Sequence, residues 1–203
     1  MEYSAYAHKQ LVQYCTATDY QLSAQGKRLM SNDSLLQSWL ADEQAARVRL
    51  ADPGVSSMAQ LRELSGLEFL QAIGDGVLPS VPIGALMGFV PICWEPGRMV
   101  FQGTLGRQHY NPLGSVHGGY AATLLDSCVG CAVHSMLPAG KGYTTLELKI
   151  NYIRAITDKI GPVRAEGKTV HVGGQTAIAE GRITDAQGRL YAFATTTCLV
   201  FAI

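Results

Sequence analysis

Apolar positions recur at two different periods along this chain, helical in its first half and alternating in its last third. Leu61, Leu64, Leu67, Phe69, Leu70 and Ile73 share a broad helical face, so 58–73 reads as a helix stopped by Gly74-Asp75-Gly76. The apolar, proline-containing passage 77–83 suits a segment laid over a groove. Residues 85–94 and 98–105 read as a hairpin around Glu95-Pro96-Gly97. From Tyr120 to about Met136 almost every residue is apolar or small, with no proline. That predicts a helix that is apolar all round, which must be wrapped by something. Asn111-Pro112 and Gly114 are breakers before it, with Ser115 as the expected N-cap. Beyond Pro138 the period becomes two. In 143–153, Leu146, Leu148, Ile150 and Tyr152 fall on one face and Thr145, Glu147, Lys149 and Asn151 on the other. Residues 161–171, 175–184 and 189–201 read as three further strands, with Ala177 and Ala179 as small inward positions and a hairpin turn at 185–188. The order is a helix, two strands, one long buried helix, then four strands. This is an α+β chain, with an antiparallel sheet of five to six strands wrapped around one central helix.

Residues 1–57 differ from the rest, being rich in Gln, Ser, Ala and charge. They read as an N-terminal extension, partly helical or disordered, ahead of one domain at 58–203. A weak amphipathic helix fits 34–50, ended by Asp52-Pro53-Gly54. Met58 opens the first domain-like stretch, so translation from Met58 is a hypothesis that mass spectrometry of natively expressed protein tests. Sixteen basic residues balance sixteen acidic ones, so no net field draws nucleic acid or an anionic membrane. No apolar run approaches the length of a membrane span, and no basic segment leads into an apolar one at the N-terminus, so neither anchor nor signal peptide is expected. The expected placement is cytoplasmic.

Two polar residues interrupt the apolar helix, His117 at its start and Asp126 in its middle. A carboxylate there, with no basic residue nearby in sequence, needs a partner or a job. It can activate water as a general base or attack a carbonyl itself. A helix N-terminus offers free N–H groups and the positive end of a dipole, and glycine at 118 lets a carbonyl approach that backbone. Nine residues of helix rise about 13.5 Å and turn about 900°, which sets His117 and Asp126 on opposite faces. If both serve one reaction, they come from different subunits of a two-fold dimer. Cys128 and Cys131 have CxxC spacing but lie well inside the helix without a second ligand pair, so they read as small core residues, and no metal is expected.

His117-Gly118-Gly119 with Asp126 nine positions after the histidine, preceded by Asn111-x-x-Gly114, resembles the PaaI-type hotdog acyl-CoA thioesterases. The segment from Thr144 to Arg154 is similar to that family's third strand, and the resemblance covers roughly 58–201. It implies the hotdog fold and hydrolysis of an acyl-CoA to a carboxylic acid and CoA, with CoA entering as substrate and no cofactor. It implies a homodimer with interfacial sites, with a dimer of dimers as an extension. Asn111, His117 and Gly118 would come from one protomer, and Asp126 with a hydroxyl from the other. The hydroxyl is Thr144 or Thr145, and counting back from Asn151-Tyr152-Ile153 favours Thr145. His171, Val172, Gly173 and Gly174 correspond to a stretch beside the CoA nucleotide in relatives. Gly174 and Gln175 leave its usual basic position uncharged here. Arg154 is a candidate phosphate contact, its competing reading being a solvated strand-end charge. Two other functions stand beside hydrolysis: a hotdog enoyl-CoA hydratase or dehydratase, and a non-catalytic acyl-CoA-binding protein. Thiol release separates them.

Overall fold

A computed structural model describes residues 32–203. Helix α1 (Asn32–Arg49) leads through a short strand β1 (Ala51–Pro53) to helices α2 (Met58–Glu63) and α3 (Gly66–Gly74). Strand β2 (Pro79–Ser80), which pairs in parallel with β1, and helix α4 (Pro82–Met87) precede the main sheet. That sheet comprises β3 (Phe89–Glu95), β4 (Arg98–Gly103), β5 (Lys141–Tyr152), β6 (Val163–Val172), β7 (Thr176–Asp185) and β8 (Leu190–Ala202). The long helix α5 (Gly118–His134) lies between β4 and β5 in sequence. The strand order is β3-β4-β6-β7-β8-β5, antiparallel throughout.

The expected helix at 58–73 is two helices. Ser65 caps α3 through a reciprocal box, accepting from Glu68 N while the Glu68 carboxylate accepts from Ser65 N and Oγ. Gly66 then packs against the His134 carbonyl, where a Cβ would collide. The passage 77–83 and the first residues expected of the hairpin form β2 and α4 instead, with Pro82 in the first turn of α4, where its missing N–H costs nothing.

Helix α5 is wrapped as its composition requires. Leu124, Leu125, Cys128, Val129, Ala132 and Val133 are fully buried. Small strand residues let the sheet close on it: Ala177 and Ala179 are buried, and a Cβ on Gly167 would strike the Cys128 carbonyl. Cys128 and Cys131 are free thiols in this core, and burial pushes Cys131 up to about 12, so both stay protonated.

Helix α1 covers the outer face of β4 and β6. Buried Gln102 donates to the Trp39 carbonyl (2.8 Å) and to Glu43 (2.9 Å), and accepts from Arg164 Nε (2.8 Å). Arg164 also pairs with Asp42 (2.7 Å) and stacks over Trp39 at 4.4 Å. A second small core of Ala46, Val90, Ile92, Cys93 and Val100 forms beside this network. The rest of the expected extension, residues 1–31, lies outside the described residues.

Candidate active site

The N-cap of α5 is His117, not Ser115. His117 Nδ1 accepts from Gly119 N (2.8 Å), and its carbonyl accepts from Tyr120 N (3.0 Å). Ser115 belongs to the turn before it. Asn111 Oδ1 accepts from Leu113 N (2.9 Å) and Ser115 N (3.3 Å), while Asn111 Nδ2 donates to Ser115 Oγ (3.1 Å). The Asn111 side chain is thus engaged in folding its own loop, the alternative the sequence left beside a substrate role. The loop is pinned by Val116 N to the Ile156 carbonyl and His117 N to the His109 carbonyl. With Gly119 and Tyr120 satisfied by the cap, Gly118 N–H is the first-turn donor left without a partner among the described residues.

Gly118 sits under Tyr152, whose hydroxyl donates to the Gly118 carbonyl (3.1 Å). Together with Ser115, His117, Arg154 and Ile156 they line a cleft of about 300 Å³. Tyr152 was not among the residues the sequence singled out. Its position at the end of β5, one strand-end from Arg154, was the available signal. Arg154 reaches this cleft while its guanidinium also donates to the Leu190 carbonyl.

Asp126 is half-buried and accepts a hydrogen bond from Thr145 Oγ1 (2.9 Å). Thr144 is exposed. The sequence reading set Thr145 on the face opposite Leu148, and a β-bulge corrects it. Thr145 pairs with Cys198 and Glu147 with Thr197, so Leu146 is the extra residue and stands 60 % exposed. The bulge turns Thr145 inward without disturbing Leu148 and Ile150.

Gly118 and Asp126 both look onto β5, at Tyr152 and Thr145. Eight residues of helix, about 12 Å, separate them, so axial distance rather than opposite faces keeps them from meeting in one chain. The stretch 171–174 leads from β6 into the turn before β7, with His171 and Gly174 exposed, Val172 and Gly173 half-buried, and Gly173 N bonded to the Thr176 carbonyl (2.8 Å). Thr176 lies opposite Leu199, and Leu199 opposite Thr144. The turn therefore flanks the start of β5, whereas Arg154 follows its end, and one chain does not bring them together. His109 is buried, and His134, in the last turn of α5, is half-buried. Burial lowers both, His134 to about 4, so both rings are neutral near pH 7. Among the described residues no group of His, Cys, Asp and Glu could hold a metal ion, and no helix is long and apolar enough to cross a membrane.

Residues 113–192 match the model of the thioesterase superfamily. An esterase-named protein of Halobacterium salinarum is 39 % identical over 69 residues, 33 % of this chain. That match spans only 44 % of the relative's length. The 1,4-dihydroxy-2-naphthoyl-CoA hydrolase of Escherichia coli is 28 % identical over 127 residues, 61 % of this chain and 86 % of that enzyme. A mutant of the phenylacetic acid degradation protein PaaI from Thermus thermophilus superposes with TM-score 0.53 at 25 % identity, covering 58 % of this chain and 97 % of that one. The chain has the hotdog fold, and its residues 113–192 are similar to the thioesterase superfamily. The resemblance to PaaI-type proteins holds in sequence and in architecture.

Proposed function

We propose that this chain is an acyl-CoA thioesterase whose sites form between two copies, each using Gly118 of one and Asp126 with Thr145 of the other. The observation that carries it is the hydrogen bond between Asp126 of α5 and Thr145 of β5, a strand at the sheet's edge. β5 presents unpaired backbone groups along its outer side, with Leu146, Tyr152 and Ile153 exposed. Suppose two β5 strands pair antiparallel about an axis between Leu148 and Lys149. Thr145 then faces the partner's Tyr152, which brings the partner's Gly118 beside Asp126. The same pairing draws the partner's Arg154 toward the turn at 171–174, where a CoA phosphate would meet both.

Asp126 takes a proton from a water that Thr145 orients, and the water oxygen attacks the thioester carbonyl carbon. The partner's Gly118 N–H receives the charge that develops on the carbonyl oxygen, a contribution on the order of 3–4 kcal/mol to the barrier. Collapse of the tetrahedral species expels the CoA sulfur, which recovers the proton from Asp126. The products are a carboxylic acid and CoA. Direct attack by Asp126 would instead form an anhydride, and a single turnover in ¹⁸O-water separates the routes, since only that one leaves label in Asp126.

The test is complementation. Gly118 is the first residue of α5, where proline is well tolerated, so Gly118→Pro deletes the donor and spares the helix. Pure Asp126→Asn and pure Gly118→Pro proteins should each lack thiol release. Refolded together, half the dimers carry one intact site, and about a quarter of the wild-type rate should return. Mixed dimers verified by native mass spectrometry that stay inactive would overturn the shared site.

A further inference from the structure

An apolar cavity of about 500 Å³ opens between α2, α3 and the start of β5. Leu61, Phe69, Met99, Phe101, Tyr143 and Phe201 are among the residues that line it, and none of its lining side chains is charged. Its polar side chains are few. The Tyr143 hydroxyl and the Cys131 thiol hydrogen-bond each other, and the His134 ring packs edge-on against Phe69 at 5.5 Å. A hydroxylated or charged acyl group entering here would lose its water and gain little in return from so apolar a lining.

The cavity lies one step along β5 and α5 from the proposed site. Tyr143 precedes Thr145 by two residues on the same face of β5, about 7 Å along the strand. Cys131 follows Asp126 by five residues of α5, about 7.5 Å along the helix. A carbonyl held at Asp126 therefore has its acyl tail directed along α5 into this space, in the subunit that supplies Asp126. An acetyl group ends short of it.

Resting on the thioesterase reading, we infer that this cavity receives the unsubstituted hydrocarbon tail of a straight-chain fatty acyl group. The E. coli relative is named for a dihydroxylated aromatic acyl group, and this almost wholly apolar lining suits such hydroxyls poorly.

The experiment is a thiol-release assay with acetyl-CoA, dodecanoyl-CoA and 1,4-dihydroxy-2-naphthoyl-CoA. Dodecanoyl-CoA should exceed both others in kcat/KM by about tenfold or more. Leu61→Trp puts an indole into the cavity from half-exposed α2, and should lower the dodecanoyl-to-acetyl ratio by about tenfold. Phe201→Ala, from an exposed strand end, should shift the preference toward longer chains. A preference for acetyl or naphthoyl, or an unchanged ratio in both variants, overturns the inference. If no thioester releases thiol, the hydrolase reading fails alone. Calorimetric titration with dodecanoate then decides the cavity: binding by the wild type and not by Leu61→Trp supports it, and no binding by either overturns it.

Discussion

The two edges of the sheet are finished in opposite ways. β3 buries five of its seven residues, under α1, α3 and α4. β5, the other edge, buries one of its twelve, although α5 lies against its inner face. The covered half is closed by polar groups that find each other inside it: Gln102, Arg164, Glu43 and Asp42 bind α1 to the sheet. The bare half holds the groups to which the proposal gives the chemistry: Asp126, Thr145 and the Gly118 N–H, which has no partner among the described residues. Stability and the proposed chemistry thus fall on different edges, and each can be attacked separately.

The largest expected effect is on the bare side. Asp126→Asn removes the base and should lower thiol release by about 10²–10⁴-fold. Its urea midpoint and sedimentation should match the wild type. Near-full activity in this variant would remove Asp126 from the mechanism.

The covered side answers in stability. Trp39 is 2 % exposed under the Arg164 guanidinium, and Trp39→Ala should cost about 3–5 kcal/mol in urea unfolding. The folded fraction should keep its specific activity. A chain starting at Met58 would lack Trp39, Asp42 and Glu43 together, leaving Gln102 and Arg164 buried without these partners. Such a chain should unfold at lower urea than Trp39→Ala, which makes α1 part of the domain.

His134 lies where the two halves meet, its ring against Phe69 of α3 and 5.6 Å from Tyr143 of β5. Burial holds it at about 4, below the usual imidazole value, so the unfolded chain binds the proton first as pH falls. Its contribution is complete above about pH 6.5 and drains away toward pH 4, by up to about 3 kcal/mol. Urea titrations across that window should show the slope, and His134→Phe should flatten it.

The long elements and the helix-borne groups were legible in the sequence because each left a local signature. The all-round apolar helix, the Asp126 that interrupts it, and the Gly97 and Gly188 turns, both at positive φ, stand where their patterns placed them. What was not legible depends on contacts distant in sequence. Ser65 splits one apolar face into two helices because Gly66 must meet the His134 carbonyl, sixty-eight residues away. Strict alternation gave Thr145 the wrong face, since one extra residue at Leu146 changes parity and nothing in the local pattern marks it. Tyr152 over Gly118 is likewise a contact between the end of β5 and the start of α5.

The edge itself comes next in size. If β5 pairs with its copy, charges on its outer rim should part the subunits. A Leu146→Glu, Ile153→Glu double variant places four added carboxylates along the joint, beside the native Glu147 of each chain. Sedimentation velocity should show monomer at micromolar concentration, and activity should fall by about tenfold or more although Asp126 and Gly118 are both intact. A double variant that stays dimeric and active would place the interface elsewhere, and the same pair of charges set on β3 should leave association unchanged.

The smallest effect separates two adjacent hydroxyls. Thr145 Oγ1 is 2.9 Å from Asp126, whereas Thr144 points to solvent on the other side of the strand. Thr145→Val keeps the shape and the β-branch but removes the donor, so the carboxylate loses one hydrogen bond of about 1–1.5 kcal/mol and kcat should drop about tenfold. Thr144→Val should change kcat by less than about twofold, because its hydroxyl has only water to lose. Stability should move little in either, since both positions lie on the half that β5 leaves uncovered. Equal losses in the two variants would mean that the bulge at Leu146 does not fix which threonine serves Asp126, and the inward turn of Thr145 would lose its functional reading.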